Sequence, residues 1–309
     1  PALRSWEAPR LNLQWSGAIR VGLVSGPTRS SRVATMPDNP FHLDAADYSE
    51  LQRAHGLLEG TSLAIRLVNY LGRPIEFTLE RLPSGARDLI HGASKNALEK
   101  AAQVALSTLD GAQIGTEPRR RILSDLFHKA GAVATGTVGG AFGLAALPVE
   151  LPISTVIMLR SIADIARSQG EELADPEARL QCVSVFASGG RSKLDDDSEL
   201  GYLAVRAALA AEVSAAARFA AKAALGQAAQ APALVKLVGS LAARFSIPVG
   251  EKLVAQAMPL LGALGGASVN YVFIDHFQDM ADGHFTVRRL ERKYGASRIE
   301  QAYRRLSGE

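Results

Sequence analysis

One cysteine, Cys182, stands among 309 residues, and a lone thiol excludes an internal disulfide. No histidine is close in sequence to activate it, so Cys182 reads as a small buried hydrophobe rather than a nucleophile. Aromatic residues are scarce, 6% against a hydrophobic content of 47%. The apolar mass is therefore Ala, Leu, Val and Gly, a composition suited to closely packed helices. Common catalytic signatures are also missing. There is no HExxH zinc motif and no GxSxG elbow, the nearest run, GGASVN, having Asn270 where the last glycine belongs. None of the eight lysines precedes Ser or Thr, which excludes a Walker A loop. GTVGGAFG lacks the glycine spacing and the preceding strand of a dinucleotide site. Nucleotide binding through a P-loop or Rossmann motif is accordingly not expected.

A formal charge of +3 invites a nucleic-acid reading, but the excess is confined to one end. Residues 1–35 hold Arg4, Arg10, Arg20, Arg29 and Arg32 against Glu7, which leaves 29 basic and 30 acidic residues elsewhere. The basic balance is therefore no argument for a nucleic-acid partner. The leader lacks an apolar run followed by a small-residue cleavage site. Amphipathic pattern starts only after Met36, so 1–35 is expected to be a disordered leader or a mis-assigned start.

Helical period dominates from there on. Asp44 reads as the N-cap of one helix reaching Leu71, with Leu51, Ala54, Leu58, Ile65 and Val68 on one face. Alternation over Ile75 to Leu82 suggests a short strand. A second helix follows Pro83 and runs to about Leu109, with Leu89, Ile90, Ala93, Ala97, Ala101, Val104 and Thr108 along its stripe. Two apolar, glycine-punctuated segments come next. The first, Gly131 to Leu159, is expected to break at Pro148 and Pro152, and it carries Gly136 with Gly140 and Gly139 with Gly143 at a spacing that lets helix backbones approach. After it, Gly170 is a stop and Asp175-Pro176-Glu177 a start signal. A long alanine-rich helix spans about Ser198 to Ala229, and a further helix is expected to end at Pro248 and restart near Gly250. The second apolar segment follows Pro259 and repeats the close-approach spacing with Gly262 and Gly266. Ser297 and Glu300 fit a capping box at the last helix.

The expected fold is all-α: a multi-helix bundle with the two Gly/Ala-rich, proline-interrupted segments at its centre. The organisation read from the chain is 1–35 leader, 36–118 N-terminal helical region, 119–296 helical core and 297–309 C-terminal helix and tail. Both apolar segments are borderline for crossing a bilayer, which takes about 20 mainly apolar residues, and alanine and glycine add little to insertion. Buried core is the first expectation, reversible membrane association the second.

The runs ALPVELPISTVIMLRSIADIARSQGE, RLQCVSVFASGG and NYVFIDHFQDMADGHFTVRRLERKYG resemble the EcsC family, over approximately Arg119 to Gly295. Pro148, Glu150, Pro152, Arg160, Asn270, Asp279, Phe285 and Arg288 fall on these runs. The resemblance implies a bacterial origin and a helical fold, and the family takes its name from an operon that also encodes an ABC-transporter ATPase and its membrane subunit. It supplies no reaction.

Chemistry, if present, is expected at two places. Glu150 lies between two prolines in an apolar run, where a carboxylate must be paired, protonated or solvated; a helix-start acid is the plainer reading. Arg160 is its candidate partner, as is Asp164 for Arg160. The other place is the tail, where Asp275, Asp279 and Asp282 share a helix face with His276. With Glu150, His276 and Asp279 are candidate ligands for a divalent metal, the one cofactor these residues suggest; a solvated helix face is the plainer reading. Asn270 is expected to be a polar core residue. The leading functional expectation is a cytoplasmic helical accessory protein, peripheral to the inner membrane, that binds lipid or a membrane protein. A metal-dependent hydrolase using Glu150, His276 and Asp279 is the first alternative. A soluble helical interaction module, using Arg119 to Arg121 or the acidic loop, is the second.

Overall fold

The computed structural model describes residues 41–60, 62–71, 84–108, 141–188, 201–222, 232–256 and 262–308. The chain divides into two units, Pro1–Asp38 and Asn39–Glu309, and all described residues belong to the second. They form helices and no strand. These are α1 (Ala45–Leu58), α2 (Leu63–Leu71), α3 (Ser84–Thr108), α4 (Ala141–Ser168), α5 (Pro176–Ser184) with a 3-10 turn at Val185–Ala187, α6 (Tyr202–Ala220), α7 (Pro232–Gln256), α8 (Gly262–Tyr294) and α9 (Ala296–Leu306). The all-α expectation holds. The leader, the predicted strand at 75–82 and the acidic loop lie outside the described residues, as do Arg119 to Arg121, Gly136, Gly139 and Gly140.

Local signals place several ends. Asp175 caps α5 by accepting the Glu177 amide at 2.9 Å, with Pro176 in the first turn. Gly170 follows α4 at φ +77°, a left-handed conformation that only glycine adopts cheaply. Four expectations are corrected. The helix from Asp44 is not continuous to Leu71 but divides after Leu58, where an ideal Cβ at Gly60 would meet the Gly56 carbonyl oxygen at 2.2 Å. Only glycine permits that turn. Helix α9 is capped by Gly295 without a side-chain hydrogen bond, so Ser297 and Glu300 form no capping box; Glu300 pairs with Arg304 one turn on, at 2.8 Å. On α3 Leu89 is exposed, and the buried face is instead Ile90, Ala93, Ala97, Leu98, Ala101 and Ala105.

The fourth correction concerns proline. Helix α4 runs unbroken through Pro148 and Pro152, and α7 through Pro248. An interior proline costs about 3 kcal/mol, so packing must exceed that loss. In α4 the two prolines stand four residues apart on the less buried side, where the carbonyls they release can be hydrated. Elsewhere around the helix Leu147, Leu151, Met158, Leu159 and Ile162 are enclosed. In α7 the buried Pro248 is flanked by Phe245 and Val249, neither with any exposed surface.

Helices α4 and α7 are the central apolar pair. Helix α3 packs chiefly on these two, its alanine face allowing close approach, and α8 packs on α1, α4, α7 and α9. The helices on both sides of residue 118 thus share one unit. Four aromatic residues meet in the core: Phe186, Phe245, Phe273 and Phe277 pack with centroids 5.1–6.3 Å apart. The second apolar segment does not form a separate central helix; Gly262 and Gly266 lie in the first turns of the 33-residue α8. Gly143 likewise lies in the first turn of α4.

A close approach requiring glycine occurs elsewhere on α8. An ideal Cβ at Gly283 would lie 2.7 Å from Leu58 Cγ and 3.2 Å from the Ala54 carbonyl oxygen on α1. Gly283→Ala gains about 1 kcal/mol of helix propensity and costs about 1–3 kcal/mol by overpacking. The expected outcome is a lower urea midpoint, since the α1 backbone cannot yield as a side-chain tip does. An unchanged or raised midpoint would place α1 farther from α8.

Candidate functional site

The carboxylates of α8 are engaged by arginines. Asp279 accepts a hydrogen bond from Arg66 of α2 at 2.6 Å, and Asp275 lies 3.9 Å from the same guanidinium. Asp282 pairs with Arg53 of α1 at 2.6 Å and accepts from Gln169 at 3.3 Å. The face read as a metal cluster instead ties α1 and α2 to α8. His276 is buried and stacks edge-on against Phe277. Among the described residues no group of three or more His, Cys, Asp and Glu side chains gathers in a metal-binding arrangement. Asn270 is partly buried near the start of α8.

Glu150 stands inside α4, not at a helix start, and its partner is Lys252 of α7. The ammonium donates to the carboxylate at 3.1 Å and lies 5.1 Å from the centroid of the Phe273 ring. Lys252 is 3% exposed and Glu150 31%. An enclosed ammonium needs a counter-charge, and Glu150 supplies it. Arg160, the expected partner of Glu150, does not fill that role: it is exposed, seven residues beyond Ile153 on the same helix. Asp164 pairs with Arg167 at 3.4 Å.

A polar cluster that the sequence did not reveal joins α6, α8 and α9. The Tyr202 hydroxyl and His284 Nδ1 share a 2.8 Å hydrogen bond, while His284 Nε2 is buried without a hydrogen-bond partner among the described residues. Arg206 makes a two-pronged bond to Glu291, at 2.7 and 2.6 Å. Tyr303 donates to Glu59 at 3.1 Å, and the same carboxylate receives the Tyr202 amide at 2.9 Å, capping α6 beside Gly201. Beyond the cluster, Arg288 reaches Glu171 with two bonds at 2.8 and 3.1 Å, and Arg292 adds another. Burial works against the Glu171 charge, but these arginines outweigh it and hold its pKa below the usual carboxylate value. Asp47 is likewise held low, by hydrogen bonds from Lys293 and Tyr294. Burial pushes Tyr202 up to about 12 and keeps the hydroxyl protonated. It also raises the Cys182 thiol, which donates to the Ala178 carbonyl and is inert.

Among the described residues the two most exposed large hydrophobic side chains stand on the outward face of α4. Val149 is 70% exposed and Ile153 56%. Val156 is partly exposed and Arg160 exposed, and the spacing 149, 153, 156, 160 puts all four on one stripe. Because the helix does not break at its prolines, an apolar stretch passes directly into a charged one.

Two ionisable groups, the buried His284 and the partly buried Glu251, shift stability in opposite directions. Burial, with Arg206 and Arg288 nearby, holds the His284 imidazole well below its usual 6.5. The unfolded chain therefore takes up a proton that the fold refuses, and stability drops as pH falls below about 6.5. Glu251 of α7 is raised by burial to about 7 from 4.5, against the opposing hydrogen bond from the Ala64 amide. Between those values the fold keeps a proton that the unfolded chain releases, so this group favours the fold as pH falls. The two effects offset in the native chain. Glu251→Gln unmasks the histidine, and its unfolding free energy from urea titration is expected to drop between pH 6.5 and 5, by up to about 1.4 kcal/mol per pH unit. His284→Gln is expected to reverse the slope. Parallel pH profiles for both variants would contradict these environments.

A family model described as the EcsC protein family matches residues 75–290. No curated protein and no solved structure gave a match. The match begins well before Arg119 and takes in α3, in keeping with the packing of α3 on α4 and α7. It spans Glu150, Lys252, His284 and the exposed stripe of α4 within one continuous alignment. This chain belongs to the EcsC family.

Proposed function

We propose that the protein is a helical accessory protein that acts at the cytoplasmic face of the inner membrane and binds it reversibly through α4. The observation that carries this reading is the pair Val149 and Ile153, two large aliphatic side chains exposed one turn apart in the middle of an apolar helix. Helices α4 and α7 have apolar windows long enough to cross a bilayer, yet 44% and 50% of those windows are buried within the protein. A core helix buries its apolar surface more completely, and a spanning helix exposes apolar surface all round. A half-enclosed apolar helix fits interfacial binding, in which one face enters the boundary between headgroups and acyl chains.

Hydrolysis at a metal centre has less support. Glu150 is committed to Lys252 and Asp279 to Arg66, on different helix pairs.

Co-sedimentation with phospholipid vesicles tests the proposal. The native chain is expected to partition onto vesicles. Val149→Ser combined with Ile153→Ser, both at exposed sites, is expected to weaken partitioning about tenfold or more, at roughly 1 kcal/mol per partly buried aliphatic side chain, with an unchanged urea midpoint. Native protein that stays in the supernatant, or a double variant that binds as tightly as the native chain, would reject the proposal.

A further inference from the structure

We propose that Arg160 receives the phosphate of an anionic lipid headgroup while Val149 and Ile153 lie among the acyl chains. The inference rests on the membrane reading above and names the lipid class that α4 selects.

The outward face of α4 changes character along its length. From Val149 to Ile157 its outward side chains are aliphatic, and from Arg160 to Ser168 they are Arg160, Asp164, Arg167 and Ser168. Asp164 and Arg167 pair with each other at 3.4 Å and cancel. Arg160 remains as the uncompensated charge, exposed and with no described residue as its partner. Arg160 continues the stripe of Val149, Ile153 and Val156 along the helix, about 16 Å from Val149, so with α4 lying in the interface it stands at headgroup depth beside the inserted aliphatic side chains. Its aliphatic stem can lie along the acyl region while the guanidinium extends toward water. A planar guanidinium binds two phosphate oxygens at once, which a lysine at the same position does less well. Zwitterionic lipid also carries a phosphate, but its own ammonium competes for that charge, so a lone arginine favours headgroups with net negative charge.

The test compares the full native chain, Arg160→Gln and Arg160→Lys on two kinds of vesicle, pure phosphatidylcholine and phosphatidylcholine with one-third phosphatidylglycerol. The arginines of residues 1–35 favour anionic vesicles by themselves, so the difference between variants carries the result. Arg160→Gln is expected to lose about fivefold in affinity on the anionic vesicles, the share of one basic residue at such a surface. It is expected to change little on phosphatidylcholine. Arg160→Lys should recover part of the loss, and added salt should narrow the gap between native and Gln chains. Equal binding of native chain and Arg160→Gln to anionic vesicles overturns this inference and leaves the membrane reading standing. An equal loss on both vesicles overturns the headgroup selectivity. No binding by any chain to either vesicle rejects both.

Discussion

The continuity of α4 through Pro148 and Pro152 is the constraint on which the rest of the molecule depends. Had Pro152 ended the helix, Val149 and Arg160 would belong to differently directed segments, and no common stripe would exist. Continuity is possible because Pro148 and Pro152 both stand where the helix is less buried, while its enclosed side chains pack against α3, α8 and neighbouring helices. Burying several large aliphatic side chains at roughly 1.5–3 kcal/mol each exceeds the two interior-proline losses. The same face that tolerates the prolines also displays Val149 and Ile153, so the feature that strains the helix and the feature available to a ligand are adjacent.

Charge is used differently on the two sides of the protein. On α8 nearly every ionised side chain has a counterpart on a neighbouring element: Asp279 with Arg66, Asp282 with Arg53, Glu291 with Arg206, Arg288 with Glu171 and Lys293 with Asp47. Such pairs contribute little individually when exposed. Their value here is geometric, since each one fixes how α1, α2, α6 or the turn after α4 sits against α8. On the outward face of α4 the one uncompensated arginine follows an apolar stretch, an arrangement suited to contact with something outside the chain.

Features written in a few consecutive residues were legible from the sequence. Asp175-Pro176-Glu177 and Gly170 announced a helix start and stop because capping is a local hydrogen-bonding problem. The course of α3 was legible from its period. The prolines misled because their cost is local whereas the packing that offsets it comes from distant helices. Glu150 stood out as a carboxylate in need of a partner, but Lys252 is 102 residues away, and nothing near Glu150 named it. Tyr202 and His284 are 82 residues apart and gave no sign of meeting. Close helix approach was sought in the glycine-rich runs, of which Gly136, Gly139 and Gly140 lie outside the described residues; the structure adds Gly283, an isolated glycine, pressed against α1. Close approach depends on what faces a residue, which no spacing within one helix discloses.

The most direct measurement is a nitroxide scan of α4, with single cysteine-attached labels placed in turn at positions 148 to 157 and read for oxygen and nickel-chelate accessibility with and without vesicles. An unbroken helix predicts one oscillation of 3.6-residue period across both prolines, with maxima at 149, 153 and 156. Those maxima should become oxygen-rich and nickel-poor when vesicles are added, most strongly at 149. A phase jump between 148 and 152, or maxima that stay equally open to the nickel chelate on vesicles, would contradict a continuous α4 as the membrane-contacting element.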